Sequence, residues 1–336
     1  MPPDAPVTSA TLAAVPELSA GAITVQPRSM LNRPMQRDHE PPNRPLRIVA
    51  NPCAGGRRAR ALAEQLAAAL HRRGQPHELR FTRAAGDARI LAARAAGPVV
   101  AVGGDGTVNE VLNGLTERAG TLGPLAILPA GSGDDFAAGA GLPNDPDRLA
   151  DTFATGHIRR VDYGIATIAT TTTTRERRFA NAVDAGFVAE VAHLAHRLPL
   201  RGRLRYLAAT LRALLRPRTL SARITVDEHH AHEARLMFAS FCNSPRVGGG
   251  LPFTPAARID DGALDLLEVE TTSRRGILAL LGKLVRARHL RDRRVRTTTV
   301  RRARLVGEQA FAVAMDGELV ATDATSLQVE IRAGGL

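Results

Sequence analysis

The chain has 336 residues, 44% of them apolar, with 45 Lys and Arg against 33 Asp and Glu for a net charge of +12. That length supports two domains with a sizeable core, and the positive field favours anionic partners such as nucleotides or acidic lipid headgroups. Only 3% of residues are aromatic and none is Trp, which leaves few platforms for stacked bases and argues against a specific nucleic-acid partner.

Cys53 and Cys242 are too few for a disulfide framework, and no apolar run approaches the ~18 residues of a membrane span. The N-terminus lacks a charged-then-apolar leader pattern. The expectation is a cytoplasmic protein that meets the inner face of the membrane peripherally. Oligomeric state is open, a homodimer being one option.

Residues 1–45 hold nine prolines without sustained periodicity and read as a disordered tail. Leu46 to Ala50 is a short apolar strand, followed by the turn Asn51-Pro52-Cys53-Ala54-Gly55-Gly56 and a helix that carries Ala59, Leu62, Ala63, Leu66, Ala69 and Leu70 on one face until Gly74. His77 to Phe81 is a second strand, leading through Thr82 to a helix over 87–96. Pro98 to Val102 is a third, and it runs into Gly103-Gly104-Asp105-Gly106-Thr107, after which Val108, Val111, Leu112 and Leu115 recur at helical spacing. Pro124 to Pro129 supplies a fourth strand, entering Ala130-Gly131-Ser132-Gly133-Asp134-Asp135 before a short helix.

Alternating strands and helices argue a parallel sheet covered on both faces, with ligand loops at the carboxyl ends of the strands. A glycine turn opening a helix brings backbone N–H groups close to a phosphate. Asp105 inside such a cradle fits if a cation or a hydroxyl lies between carboxylate and phosphate. Taken alone, the same residues also fit a tight turn with a capping Asp.

From His157 onward short strands dominate: 157–169, 178–183, 220–226, 235–242, 263–269, 297–306, 311–315 and 327–331, with threonines 170–174 as a hairpin loop. This predicts a separate antiparallel β domain. Two helices interrupt it. Arg203 to Arg216 sets Leu204, Leu207, Leu211, Leu214 and Leu215 on one face, and Ile277 to Arg288 does so with Ile277, Leu280, Leu281, Leu284 and Val285. Such helices either face a core or lie on an anionic bilayer. His229, His230 and His232 read as a solvated hairpin loop or as a partial metal site. The expected domains are 46–160, 161–325, and a C-terminal segment 326–336 returning towards the first.

Three of these motifs together resemble the diacylglycerol kinase catalytic domain shared by bacterial diacylglycerol kinases and sphingosine-kinase-like lipid kinases. They are Asn51-Pro52-x-x-Gly55, Gly103-Gly104-Asp105-Gly106-Thr107-x-Asn109-Glu110-Val111, and Leu128-Pro129-x-Gly131-Ser132-Gly133-x-Asp135-Phe136-Ala137. Gly248-Gly249-Gly250 with Pro255-x-Ala257, Asp260-Asp261-Gly262-x-Leu264-Asp265 and Asp316-Gly317-Glu318 resemble the signatures of that family's second domain, in the family's order.

The resemblance implies a phosphofructokinase-like three-layer α/β nucleotide domain, then an antiparallel β-sandwich domain, with MgATP in the cleft between them and a lipid hydroxyl as acceptor. By motif position it implies an ATP site of Asn51, Pro52, Cys53, Ala54, Gly55, Thr82, Gly103, Gly104, Asp105, Gly106, Thr107, Asn109 and Ser132. It implies an acidic network of Asp105, Asp135 and Asp162, a general base at Asp316 with Glu318 beside it, and a structural Mg²⁺ held by Asp261 and the carbonyls of Arg258 and Ala263. Two positions depart from the pattern. Ala54 stands where the family has Ser, removing a hydroxyl, and Asp134 stands where it has Asn, placing an extra carboxylate beside the expected phosphates. NAD kinase shares the Gly-Gly-Asp-Gly-Thr core and is the alternative enzyme. A catalytically weak nucleotide- or lipid-binding regulator is the alternative outside catalysis.

Overall fold

The structure, a computed structural model, describes residues 44–336 apart from 119–122, 156–157, 201 and 229. The proline-rich segment up to residue 43, and with it the expectation of a disordered tail, lies outside the described residues.

Four short strands, the apolar β1 (Leu46–Ala50), β3 (Val99–Gly103) and β4 (Leu125–Pro129) and the more polar edge strand β2 (His77–Phe81), form an all-parallel sheet in the order β2-β1-β3-β4. Alternate residues point to opposite faces. Ile48, Ala50, Val100, Val102 and Leu128 pack against α1 (Arg58–Arg72) and Leu149 and Ala150 of α5 (Pro146–Thr155). Val49, Val99, Ala101 and Ile127 pack on the other side against α2 (Asp87–Ala93), α3 (Asp105–Thr116) and Phe136 of α4 (Asp135–Ala140). This is the three-layer α/β arrangement. The chain leaves β1 towards β2 and leaves β3 in the opposite direction towards β4. The crevice beyond their carboxyl ends is therefore a topological switch point, the preferred ligand position in such sheets.

The rest of the chain builds a nine-stranded antiparallel sheet from β5 (Tyr163–Thr170), β6 (Thr174–Phe179), β7 (Ala182–Gly186), β8 (Leu220–Val226), β9 (His230–Cys242), β10 (Leu264–Glu270), β11 (Val295–Val300), β12 (Arg302–Met315) and β13 (Glu318–Arg332). β7 and β8 occupy successive slots between the long strands β9 and β12. Ile168, Leu327 and Val329 at one end of the hydrogen-bonded order share a core with Phe241, Leu264 and Val300 at the other, so the sheet folds over on itself as a sandwich. Helices α6 (Phe187–His196), α7 (Gly202–Ala213) and α8 (Arg274–Val285) cover β9 and β10 around Phe238, Leu267 and Val269.

The strand expected at 157–169 begins only at Tyr163; the preceding Val161 pairs with Leu336 through two backbone hydrogen bonds. The strand expected at 178–183 is split, because the chain leaves β6 at Phe179 and enters β7 at Ala182. The predicted strands at 297–306 and 311–315 are redistributed: β11 ends at Val300, and β12 then runs unbroken through both segments, with its register shifting between Val306 and Phe311. Asp227 secures that corner by accepting from the Arg301 and Arg302 amides. Helices α5 and α6 are not among the expected elements, although α5 opens with Asp145, whose Oδ1 accepts the Arg148 amide, and Pro146 at its first position. Residues 326–332, expected to return to the first domain, form the end of β13 against β12 and β5, while the terminal Leu336 packs at the edge of the α2/α3 core. His230 and His232 lie in β9, where His232 Nε2 is 2.8 Å from Glu268 Oε1; His229 lies outside the described residues.

Candidate active site

Three glycine turns meet at the switch point. Gly55 (φ +56°) lies against the Ala130 carbonyl so closely that a Cβ would stand 2.1 Å from its oxygen. A Cβ on Gly131 would stand 2.5 Å from the Gly104 Cα, so the second and third turns touch backbone to backbone. Only glycine permits these approaches. The Ala130 amide donates to the Gly103 carbonyl and the Asn51 amide to Val102, which ties the turns after β1, β3 and β4 into one wall. Asn51 Oδ1 accepts from the Cys53 amide, keeping Pro52, Cys53 and Ala54 in a compact turn. Thr82 donates its amide to Ala50 at the sheet's end, and Glu110 fixes the following loop by accepting from Gly86 and Ala88. Thr107 is buried beneath Gly103, and Ser132 is exposed at the rim.

Carboxylates crowd this wall. Asp105 opens α3 and accepts from Phe136 N and from Asn181 Nδ2 at 3.1 Å. Asp135 is buried and receives the Gly249 and Gly250 amides at 2.8 and 2.6 Å. Asp134, in a left-handed conformation at φ +53°, receives the Gly131 amide. Burial, and then the neighbouring Asp105 charge, push the pKa values of Asp134 and Asp135 upward. No three His, Cys, Asp or Glu side chains among the described residues are grouped to hold a metal by themselves. A set of carboxylates beside phosphate-type loops nonetheless fits a hard divalent cation that binds through a few carboxylates, substrate oxygens and water.

Asp316 comes to this wall from the β12–β13 turn. It is 8% exposed, and its oxygens accept four hydrogen bonds, from the amides of Ala180, Asn181 and Ala182 and from Asn109 Nδ2 at 2.7 Å. Burial outweighs those donors and raises its pKa to about 6. Asn181 thus bonds Asp105 with its side chain and Asp316 with its backbone, joining two acids distant in sequence. Asn109, expected at the nucleotide, donates its side-chain amide to Asp316 and the Arg178 carbonyl, and Asn113 one turn later holds both the Arg178 amide and carbonyl. Glu318 is exposed, and a Cβ on Gly106 would lie 2.7 Å from its Oε1, so it stands over the first turn of α3.

Asp162 is placed differently from its expected partners. Its carboxylate takes the Gly262 and Gly334 amides at 2.7 and 2.6 Å, clamping the 260–262 turn to the C-terminal segment. Asp261 is exposed on that turn and accepts from Ala263 N, while the Arg258 side chain bonds Asp260. Asn181, Asn113 and Tyr206, whose hydroxyl approaches Gly317, had not been picked out from the sequence. Single polar residues in a strand-to-strand bend, such as Asn181, or within a helix, such as Asn113 and Tyr206, carry no motif to mark them.

Glycine loops at an α/β switch point, facing carboxylates delivered by a β-sandwich, define a kinase of the two-domain type. Residues 45–166 match the diacylglycerol kinase catalytic domain, and residues 181–334 match the YegS C-terminal NAD kinase beta sandwich-like domain. A diacylglycerol kinase of Mycobacterium tuberculosis is 34% identical over 256 residues, covering 74% of this chain and 81% of that protein. A probable lipid kinase, YegS-like, of Chromohalobacter salexigens is 35% identical over 191 residues, 55% of this chain and 58% of its own length. A diacylglycerol kinase crystal structure from Bacillus anthracis superposes with a TM-score of 0.61 at 23% identity, covering 87% of this chain and 95% of that one. Yeast NADH kinase, at 10% identity and a TM-score of 0.50 over 88% and 86% of the two chains, shares the fold alone. The chain belongs to the diacylglycerol kinase family, and it is a lipid kinase that uses ATP.

Proposed function

We propose that the protein transfers the γ-phosphate of MgATP to the free hydroxyl of diacylglycerol, or of a related lipid such as a sphingoid base, at an anionic membrane surface. The observation that carries this reading is Asn181, which bonds both Asp105 at the glycine wall and Asp316 from the β domain. Phosphoryl transfer needs reactants held in line and charge neutralised, and this arrangement sets an acceptor carboxylate beside a phosphate cradle.

Asn51 to Gly55, Thr82, Gly103 to Thr107 and Ser132 receive the nucleotide, with the first-turn amides of α3 directed at its phosphates. Asp105 and Asp135 hold the metal side of MgATP; bound Mg²⁺ supplies the charge that offsets both the phosphates and these crowded acids. Asp316 takes the proton of the lipid hydroxyl. All four of its lone-pair positions are occupied, three by backbone and one by Asn109, so the hydroxyl reaches it by displacing the Asn109 amide. Asp162 acts from outside the cluster as a clamp on the domain junction, and Asp261 with the Arg258 and Ala263 carbonyls forms the structural cation site.

The exposure of Glu318 over Gly106 favours a second reading in which it is the proton acceptor and Asp316 positions it. Steady-state kinetics separate the two. Asp316→Asn is expected to lower kcat by roughly 10²- to 10⁴-fold with KM for ATP little changed, and Glu318→Gln to cost less. The reverse order transfers the role to Glu318.

A further inference from the structure

Helix α7 has two apolar faces. Tyr206, Ala209 and Ala213, with Leu214 just beyond the helix, pack with α6 and β9 around Phe187, Val191 and Phe238. The opposite side presents Leu204, Leu207, Leu211 and Leu215, which are 67%, 49%, 51% and 64% exposed. Spacings of three and four residues align Leu204, Leu207 and Leu211 in one stripe, which Leu215 continues in the turn beyond Ala213. An ordinary surface helix hides its apolar stripe and shows polar residues to water. Here core packing has used the other side, and the leucine stripe remains uncovered. Four leucines open on the order of 400 Å² of contiguous apolar surface, the size at which a patch on a monomer marks an interaction site.

Charge says what this face meets. α7 has no acidic residue in its first turn and carries Arg212 in its last. Arg212, Arg216 and Arg218 are exposed at its carboxyl end, and Arg274 reaches across from α8 to bond the Leu215 carbonyl. An apolar stripe rimmed by arginines matches an anionic bilayer, with leucines at the acyl boundary and guanidinium groups among phosphates. The inward side of the same helix points to the chemistry. The Tyr206 hydroxyl lies 3.6 Å from where a Cβ on Gly317 would be, one residue from Asp316.

We propose that α7 is the bilayer-docking helix, seating Leu204, Leu207, Leu211 and Leu215 in an anionic membrane so that the acceptor lipid reaches Asp316 past Tyr206 without crossing water. The route to Asp316 rests on the lipid-kinase reading; the docking face does not.

The test is co-sedimentation of the full chain with vesicles of phosphatidylcholine, with and without phosphatidylglycerol, together with kinase assays. Wild type is expected to bind the anionic vesicles, and L204Q/L207Q/L211Q/L215Q to bind roughly tenfold more weakly. R212Q/R216Q/R218Q should bind more weakly and lose most of its salt dependence. Turnover of vesicle-borne diacylglycerol should fall with binding, while turnover of a dispersed short-chain diacylglycerol stays within about twofold of wild type. Unchanged vesicle binding by the leucine variant overturns the proposal. So does a wild-type dimer that the leucine changes dissociate, because the stripe would then be a contact between copies. If no lipid is phosphorylated at all, the vesicle arm still decides the docking face while the kinase reading fails separately.

Discussion

Asp184 lies fully buried in β7, where the Ser240 hydroxyl donates to it at 2.5 Å, and burial lifts its pKa to about 7. The native state therefore keeps a proton that the unfolded chain, with an ordinary carboxyl pKa near 4, has lost. Stability is predicted to fall as pH rises from about 4 to 7 and to level off above. Asp184→Asn keeps an acceptor for Ser240 and removes the charge. Urea melts should show it more stable than wild type at pH 8, by up to about 4 kcal/mol for a carboxyl pKa raised from about 4 to about 7, and no more stable at pH 4. Asp316 obeys the same sign for stability and the opposite one for turnover, since the base must be ionised. The rate should fall below pH 6, and that acid limb should vanish in Asp316→Asn. Asp134 is, with Ala54, one of the two positions expected to depart from the family pattern. Its carboxylate sits beside Asp105 and accepts from Gly131, an acceptor role that an asparagine oxygen would keep. Asp134→Asn should lower KM for MgATP several-fold, by about 1 kcal/mol of relieved repulsion. An unchanged KM would show that Asp134 does not face the phosphates.

The glycine wall belongs to the scale of elements, because its geometry is made by loops touching loops. Gly131→Ala drives a Cβ into the Gly104 backbone, where no flexible side chain can yield. It should cost about 2 kcal/mol or more in thermal or urea unfolding and abolish ATP binding by calorimetry. Gly56→Ala faces open space and should cost only about 1 kcal/mol for its positive φ. The elements around this wall were legible in sequence because β1, β3 and β4 are each a short apolar run ending in a glycine turn and a helix. The β domain was less so. Its strands had type but not length, since β12 and β13 continue through polar and bulged stretches where the partner strand, and not local pattern, dictates extension. Helix α6 was missed because Phe187 to His196 packs several sides into α7, β7 and β12 and so lacks a clean polar face.

For the whole molecule, the order of the motifs made the family legible from residues that are individually common turn signals. The joining of the two halves was not legible. Asn181 is an ordinary polar residue until the fold sets it between Asp105 and Asp316, Asn113 until it holds the Arg178 backbone, and Asp162 meets the Gly334 amide only once the chain end returns to it. The leucines of α7 left two readings open, a core-facing helix and one lying on a bilayer. Their spacing fits a core-facing helix, and only the packed structure shows that another side of the helix meets the core. No helix among the described residues is long and apolar enough to cross a membrane.

The central claim is that ATP phosphorylates a lipid hydroxyl across the Asp105–Asp316 cleft. The direct measurement incubates the full chain with γ-labelled ATP and Mg²⁺ and with diacylglycerol, monoacylglycerol, sphingoid base, ceramide or NAD in turn. Label is predicted in the phosphate ester of diacylglycerol or of one of these lipids, absent with NAD, and lost in Asp105→Asn as well as Asp316→Asn. Label in NAD alone, or a labelled lipid product undiminished in both variants, would contradict it.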